Sequence, residues 1–183
     1  MAARSALPLL HVSTDYVFDG RKDAAYTEDD PIRPLGVYGR SKAAGEDRVR
    51  AMCAEHVIVR TAWVYSAFGP NFVRTMVRLA GERDELTVVN DQVGNPTAGQ
   101  DLARALITVA ARVTGPGGGR AYGTYHFAGA GEASWYDFAR AIVDSLYRRG
   151  APTVPIVRPI ASSDWPTTAP RPANSRLTCE KIR

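Results

Sequence analysis

Tyr38 and Lys42 stand four residues apart in the stretch VYGRSK. On a helix that spacing puts both side chains on one face, a turn apart. A phenol ordinarily gives up its proton near pH 10. An ammonium beside it favours the phenolate, so the proton is released and regained more easily. Such a phenol can hand a proton to a carbonyl oxygen while a hydride arrives at the carbonyl carbon. The same lysine can hydrogen-bond a cofactor ribose. Upstream, the run HVSTDYVFDG ends an apolar strand in hydroxyl and carboxyl side chains. Thr14, with Ser13 next to it, is the hydroxyl placed to hold that carbonyl oxygen. Alone, Tyr-x-x-x-Lys is a weak signal in a chain with 8 tyrosines. Its plain alternative is a surface tyrosine lying along a lysine stem.

These residues need elements to hold them. LPLLHVS, Leu7 to Ser13, has the length and Leu/Val content of a strand buried on both faces. Thr14 to Gly36 is a long polar connection, with Asp19-Gly20 as a turn signal and Pro31 and Pro34 blocking helix. VYGRSKAAGEDRVRAMC is expected as a helix, HVIVRTAWVY as a buried strand, NFVRTMVRLAGER as an amphipathic helix and LTVVND as a third strand. A helix is expected from about Thr97 to Arg112, then a flexible linker at Gly115 to Gly119 and a strand over GTYHFAG. Ser134 caps the helix WYDFARAIVDSLYRRG. TVPIVRPI is extended, and the tail from Ala161 is Pro-rich and mostly irregular. Strands alternating with helices predict an α/β fold with a largely parallel sheet.

Composition narrows the partners. A chain of 183 residues, 45% hydrophobic, can bury one substantial core. Its net charge is +4, mostly from arginines that are scattered rather than clustered, which argues against nucleic acid and suits an anionic small molecule. Cys53 and Cys179 match no metal spacing and read as reduced thiols of a cytoplasmic protein. The N-terminal apolar patch is too short for a signal sequence, and no window approaches a membrane span. His11, His56 and His126 receive no catalytic role.

Five segments, HVSTDYVFDG, YGRSK, VIVRTAWVY, VVNDQVGNPT and RPANSRL, are spread across nearly the whole chain in the order seen in one family. The chain resembles the dTDP-4-dehydrorhamnose reductases of the extended short-chain dehydrogenase/reductase superfamily. Tyr-x-x-x-Lys belongs to the superfamily at large. The runs STDYVFDG, RTAWVY and DQVGNPT are particular to the sugar-nucleotide reductase branch. The resemblance implies a partial Rossmann-like parallel sheet with flanking helices, plus a small C-terminal substrate-binding domain, the two interleaved along residues 1–183. It implies NADPH- or NADH-dependent reduction of the 4-keto group of dTDP-4-dehydro-L-rhamnose. The alternatives are reduction of another dTDP-4-keto-6-deoxysugar, or a non-catalytic regulatory subunit, a role held by one relative in methionine adenosyltransferase.

Residue by residue, the resemblance makes Thr14 the hydroxyl on the keto oxygen, Tyr38 the general acid and Lys42 its tuner and ribose ligand, with Ser13 at the cofactor. Asp15 and Tyr16 line the sugar site. Trp63 packs on the sugar ring, its alternative being a core tryptophan at a strand end. Asn71 and Phe72 lie near the nucleotide. Asp91, Gln92, Pro96 and Thr97 shape a loop beside the site, although Asn95-Pro96 is a turn signal by itself. Arg171 and Asn174 meet the nucleotide or its diphosphate, with a solvated tail arginine as the alternative. Some members pair through an Mg2+-assisted interface, whose ligands have no assignment in this chain.

One departure is visible. The family opens with a strand and a glycine-rich turn that takes the dinucleotide pyrophosphate at a helix N-terminus. No such turn occurs in these residues. The expectation is therefore a C-terminal portion of the enzyme, with a mis-called start favoured over a separate N-terminal polypeptide or a true loss. Weak cofactor binding by the chain alone follows, as does self-association through an exposed strand edge.

Overall fold

The computed structural model describes residues 7–116 and 121–182. Gly117 to Gly119 of the expected linker lie outside them. Among the described residues, nine strands and four α-helices follow in the order β1 (Leu9–Thr14), α1 (Val37–Met52), β2 (His56–Thr61), β3 (Val64–Tyr65), α2 (Phe72–Ala80), β4 (Glu85–Val89), β5 (Val93–Gly94), β6 (Thr97–Ala98), α3 (Gly99–Thr114), β7 (Gly123–His126), β8 (Ala133–Ser134), α4 (Trp135–Arg148) and β9 (Ile156–Ile160). The mixed α/β class is as the alternating pattern implied.

A parallel three-stranded sheet of order β1-β2-β7 carries the site. Its register pairs Leu9 with His56 and Thr14 with Thr61, so two threonines end adjacent strands side by side. Alternation along β2 divides its side chains between two faces. Val57 and Val59 pack with Leu102 and Val113 of α3. Arg60, on the opposite face, meets Glu46 of α1. Val57, Ile58 and Val59 are each at most 1% exposed, and burial of that kind contributes roughly 1.5–3 kcal/mol per side chain. A second core joins α2, α4 and β4 through Met76, Leu86, Val88, Ala139 and Ile142. There β4 pairs in parallel with β9.

Two expectations are corrected. The first strand is not buried on both faces: Val12 is 37% exposed, because β1 is the outermost strand of this sheet. The expected strand from His56 to Tyr65 is two strands in two sheets. Trp63 breaks it with φ 45, the left-handed region a non-glycine residue enters at a cost of about 1–2 kcal/mol. The tail is irregular yet pinned, since Tyr26 bridges Leu177 and Val93 bridges Asn174.

Helix ends follow their side chains. Asn71 caps α2 by accepting from Arg74 N–H. Ser134 and Asp137 form a reciprocal capping box on α4. Gly36 offers α1 no side-chain cap, and this bare end of α1 opens onto the site. Among the described residues no helix is long and apolar enough to cross a membrane.

Candidate active site

A cleft of about 760 Å³ lies between the start of α1, the Tyr16 turn and the tail segment Thr168 to Pro172. Tyr16, Tyr38, Arg40, Phe72, Trp135 and Arg171 are on its wall. Aromatic faces and two guanidinium groups thus share one concavity, a lining suited to a ring-bearing anion. In open α/β sheets such crevices form beyond the carboxyl ends of strands, and here the cleft borders the end of β1.

Tyr38 is 57% exposed, and its ring meets Tyr16 edge-on with centroids 6.1 Å apart. Lys42, one turn on, donates to the Val12 carbonyl at 2.6 Å. That bond ties α1 to β1 and leaves two ammonium protons for other partners. The glycine between them has a steric reason. A Cβ on Gly39 would stand 2.1 Å from the Tyr16 carbonyl oxygen, so only glycine lets the first turn of α1 reach the Tyr16 turn. Gly39→Ala is expected to lower stability by about 1–3 kcal/mol through overpacking, read from the urea midpoint. A loss below about 0.5 kcal/mol would show that the Tyr16 turn yields freely.

The end of β1 is dense with polar groups. Thr14, 6% exposed, donates to Asp15 Oδ1 at 2.8 Å and accepts the Tyr16 N–H at 3.2 Å. Burial pushes the Asp15 carboxyl up to about 7, opposed by the Thr14 hydrogen bond, the nearby Ser175 hydroxyl and the Asp15 and Tyr16 backbone. Burial, and then the Asp15 charge, push the Tyr16 phenol up to about 12, with Arg171 opposing. Ser13 is 3% exposed and faces the Glu46 carboxylate, under α1.

Of the residues singled out in the sequence, Tyr16, Tyr38, Phe72 and Arg171 line the cleft. Thr14 and Asp15 lie beside Tyr16, beneath it. Trp63 is at one remove. It stacks on Trp135 with centroids 3.5 Å apart and planes 4° apart, and donates to Ser175 Oγ at 3.1 Å. Gly94 makes room for it, since a Cβ there would stand 2.5 Å from the indole. Asn71 has its side chain occupied at the α2 cap and by the Ser66 and Gly69 carbonyls. Gln92 donates to Ser162 Oγ at 2.8 Å, and Asp91 accepts from the same serine. Pro96 leads into Thr97, which is fully buried. Asn174 ties the tail to the Lys22 and Ala24 carbonyls. The side chains of Asn71, Asp91, Gln92 and Asn174 are thus engaged in holding loops, and none of them is on the cleft wall.

Two wall residues were not visible as such in the sequence. Trp135 is the first residue of α4, directly after the recognised cap Ser134. Arg40 lies within YGRSK itself and uses Nη1 on the Leu35 carbonyl. Beneath α1 lies a further group without a sequence signal. Arg60 grips Glu46 through Nε at 3.0 Å and Nη2 at 2.8 Å, and Arg50 adds a bond at 2.7 Å. Among the described residues no three His, Cys, Asp or Glu side chains converge as a metal site.

The model of the RmlD substrate binding domain matches residues 1–183. A dTDP-4-dehydrorhamnose reductase of Aggregatibacter actinomycetemcomitans is 48% identical over 183 residues, 100% of this chain and 62% of that protein. One from Sinorhizobium fredii is 46% identical over 181 residues, 99% of this chain and 61% of that protein. The crystal structure of the Bacillus anthracis dTDP-4-dehydrorhamnose reductase in complex with NADP superposes with a TM-score of 0.88 at 34% identity, covering 99% of this chain and 60% of that one. The chain thus spans about three fifths of the length of the curated relatives it matches.

Proposed function

The chain belongs to the RmlD substrate binding domain family, and from that membership we propose that it carries the sugar-nucleotide site and proton donor of a dTDP-4-dehydrorhamnose reductase. The substrate is dTDP-4-dehydro-L-rhamnose, the product dTDP-L-rhamnose and the reductant NADPH. The observation that carries the reading is the cleft itself, where an exposed tyrosine, aromatic faces and Arg171 meet at the carboxyl end of a parallel strand.

The residues present fit one end of a nicotinamide dinucleotide. Tyr38 is exposed, Lys42 has free ammonium protons, and Thr61 Oγ1 at the end of β2 is buried without a partner. The pyrophosphate end has no glycine-rich turn in these residues. When bound, the reduced nicotinamide supplies a hydride. The chain's own residues do the rest. Thr14 holds the keto oxygen, and Tyr38 delivers a proton to it. Lys42 stands one turn from Tyr38, anchored on Val12. Tyr16, Phe72 and Trp135 give apolar faces for the sugar and base, and Arg171 takes the diphosphate. The two parts of the fold are interleaved along the chain. The protein acts in the cytoplasm, without nucleic acid or membrane as a partner.

Calorimetry with dTDP and thymidine tests this reading directly. Saturable dTDP binding is expected, and Arg171→Ala is expected to weaken it about tenfold, the loss of one charge-assisted contact. Thymidine, which lacks phosphate, should bind both forms alike. No dTDP binding, or an equal loss for both ligands, would count against the assignment of Arg171 and the cleft.

A further inference from the structure

Thr14 Oγ1 is held between two bonds, accepting the Tyr16 N–H and giving its only proton to Asp15 Oδ1. A ketone oxygen and a carboxylate both only accept. While Asp15 is ionised, Thr14 therefore has no proton to offer a ketone. A protonated Asp15 reverses the bond. Its O–H donates to Thr14 Oγ1, whose two lone pairs then serve Tyr16 and Asp15 while its proton turns outward.

We propose that Asp15 is a positioning residue that works as a neutral carboxylic acid, turning the Thr14 hydroxyl toward the ketone of the bound sugar, whereas ionised Asp15 accommodates only the alcohol, which brings its own proton to Thr14. This rests on the reductase reading above. It assigns to Asp15 a discrimination between oxidised and reduced sugars and couples ketone binding to uptake of one proton.

The surroundings favour the neutral acid. Asp15 is 3% exposed, and its Oδ2 has no hydrogen-bond partner. An ionised carboxylate left so incompletely satisfied is costly in a dry site. The Ser175 hydroxyl, which faces the carboxyl from the tail, accepts from Trp63 Nε1 and donates to the Val93 carbonyl at 3.4 Å. Tyr16 is the titratable neighbour on the same turn, itself faced by Tyr38 from α1 and Arg171 from the tail. No ion pair compensates Asp15 among the described residues. Burial accordingly raises the carboxyl to about 7.

The sign of the pH effect follows. Below about pH 7 the acid form prevails and ketone binding approaches its limit. Above it, affinity for the ketone should fall about tenfold per pH unit, as for any ligand that needs one bound proton. Affinity for the alcohol should not follow that slope.

Calorimetry on the 183-residue chain, with a dTDP-4-keto sugar and with dTDP-rhamnose, from about pH 6 to 9, reads this directly. Above about pH 7 the ratio of the two affinities should move tenfold per unit in the wild type. In Asp15→Asn, whose amide can donate to Thr14 at every pH, the ratio should stay constant with ketone binding retained. In Asp15→Leu, which can neither take the Thr14 proton nor donate to Thr14, the pH slope of the ratio should likewise vanish. A ratio that is flat in the wild type would overturn the proposal. So would an unchanged slope in Asp15→Asn. A carboxyl-carbon NMR titration of Asp15 needs no ligand. If neither sugar binds, the reductase reading fails for this chain, and the titration alone decides the state of Asp15. A midpoint near 7 upholds the neutral acid, and one below about 5, close to an ordinary aspartate, overturns it.

Discussion

Tyr38→Phe is expected to lower turnover by about 10²–10⁴-fold, the usual contribution of a positioned proton donor, in an assembly that supplies a pyrophosphate cradle. Sugar-nucleotide binding should change little, because the ring contact with Tyr16 survives and only the hydroxyl is lost. Stability should hold as well, since Tyr38 is 57% exposed and supports no core. The informative pattern is a fall in kcat and kcat/KM together, the mark of an interaction made in the transition state. Steady-state NADPH oxidation measures it. Full turnover without the hydroxyl would place the proton donor elsewhere. Intact binding with no turnover in wild type or variant would favour a regulatory subunit.

Arg60→Ala should be the most damaging single change to the fold. Arg60 is 1% exposed and Glu46 is 0% exposed, and their pairing is bidentate. Burial alone would raise the Glu46 carboxyl, but the bonds and charge of Arg60 hold it below its ordinary range. Removing Arg60 leaves a buried carboxylate with Arg50 as its remaining cation, and losses of about 3–5 kcal/mol are usual for such a broken pair. The urea midpoint reports it. A loss under about 1 kcal/mol would mean that Arg50, a partly exposed arginine, suffices. The effect should reach the cleft as well, since Glu46 lies on α1 one turn beyond Lys42.

The sequence offered candidate site residues more readily than the scaffold that holds them. Tyr38, Lys42 and Thr14 could be read because their spacing and position at a strand end are local. The helices Val37–Met52 and Trp135–Arg148 were also legible, since an apolar period and a Ser134 cap are local signals. Trp63 was not, because a left-handed tryptophan looks like any strand residue until Trp135, Ser175 and Gly94 close around it. The roles of Asn71 and Asn174 depended equally on distance. An amide that caps a helix or pins a tail has the same letter as one that meets a nucleotide. Arg60 was hidden in an apolar strand, its partner 14 residues back on the neighbouring helix.

The pinned tail also sets an order of events in synthesis. Tyr26 pairs with Leu177, and Asn174 reaches back to Lys22 and Ala24, across about 150 residues of chain. Contacts so far apart in sequence are slow to form, because the intervening loop must close before they stabilise anything. A ribosome has to deliver Leu177 before the loop at Tyr26 finds its partner. Thr168 to Pro172, which form one wall of the cleft, are made in the same late stretch. The nascent chain therefore holds Tyr38 on its helix well before it has a cleft to serve, and ligand binding should appear only once Leu177 has been made.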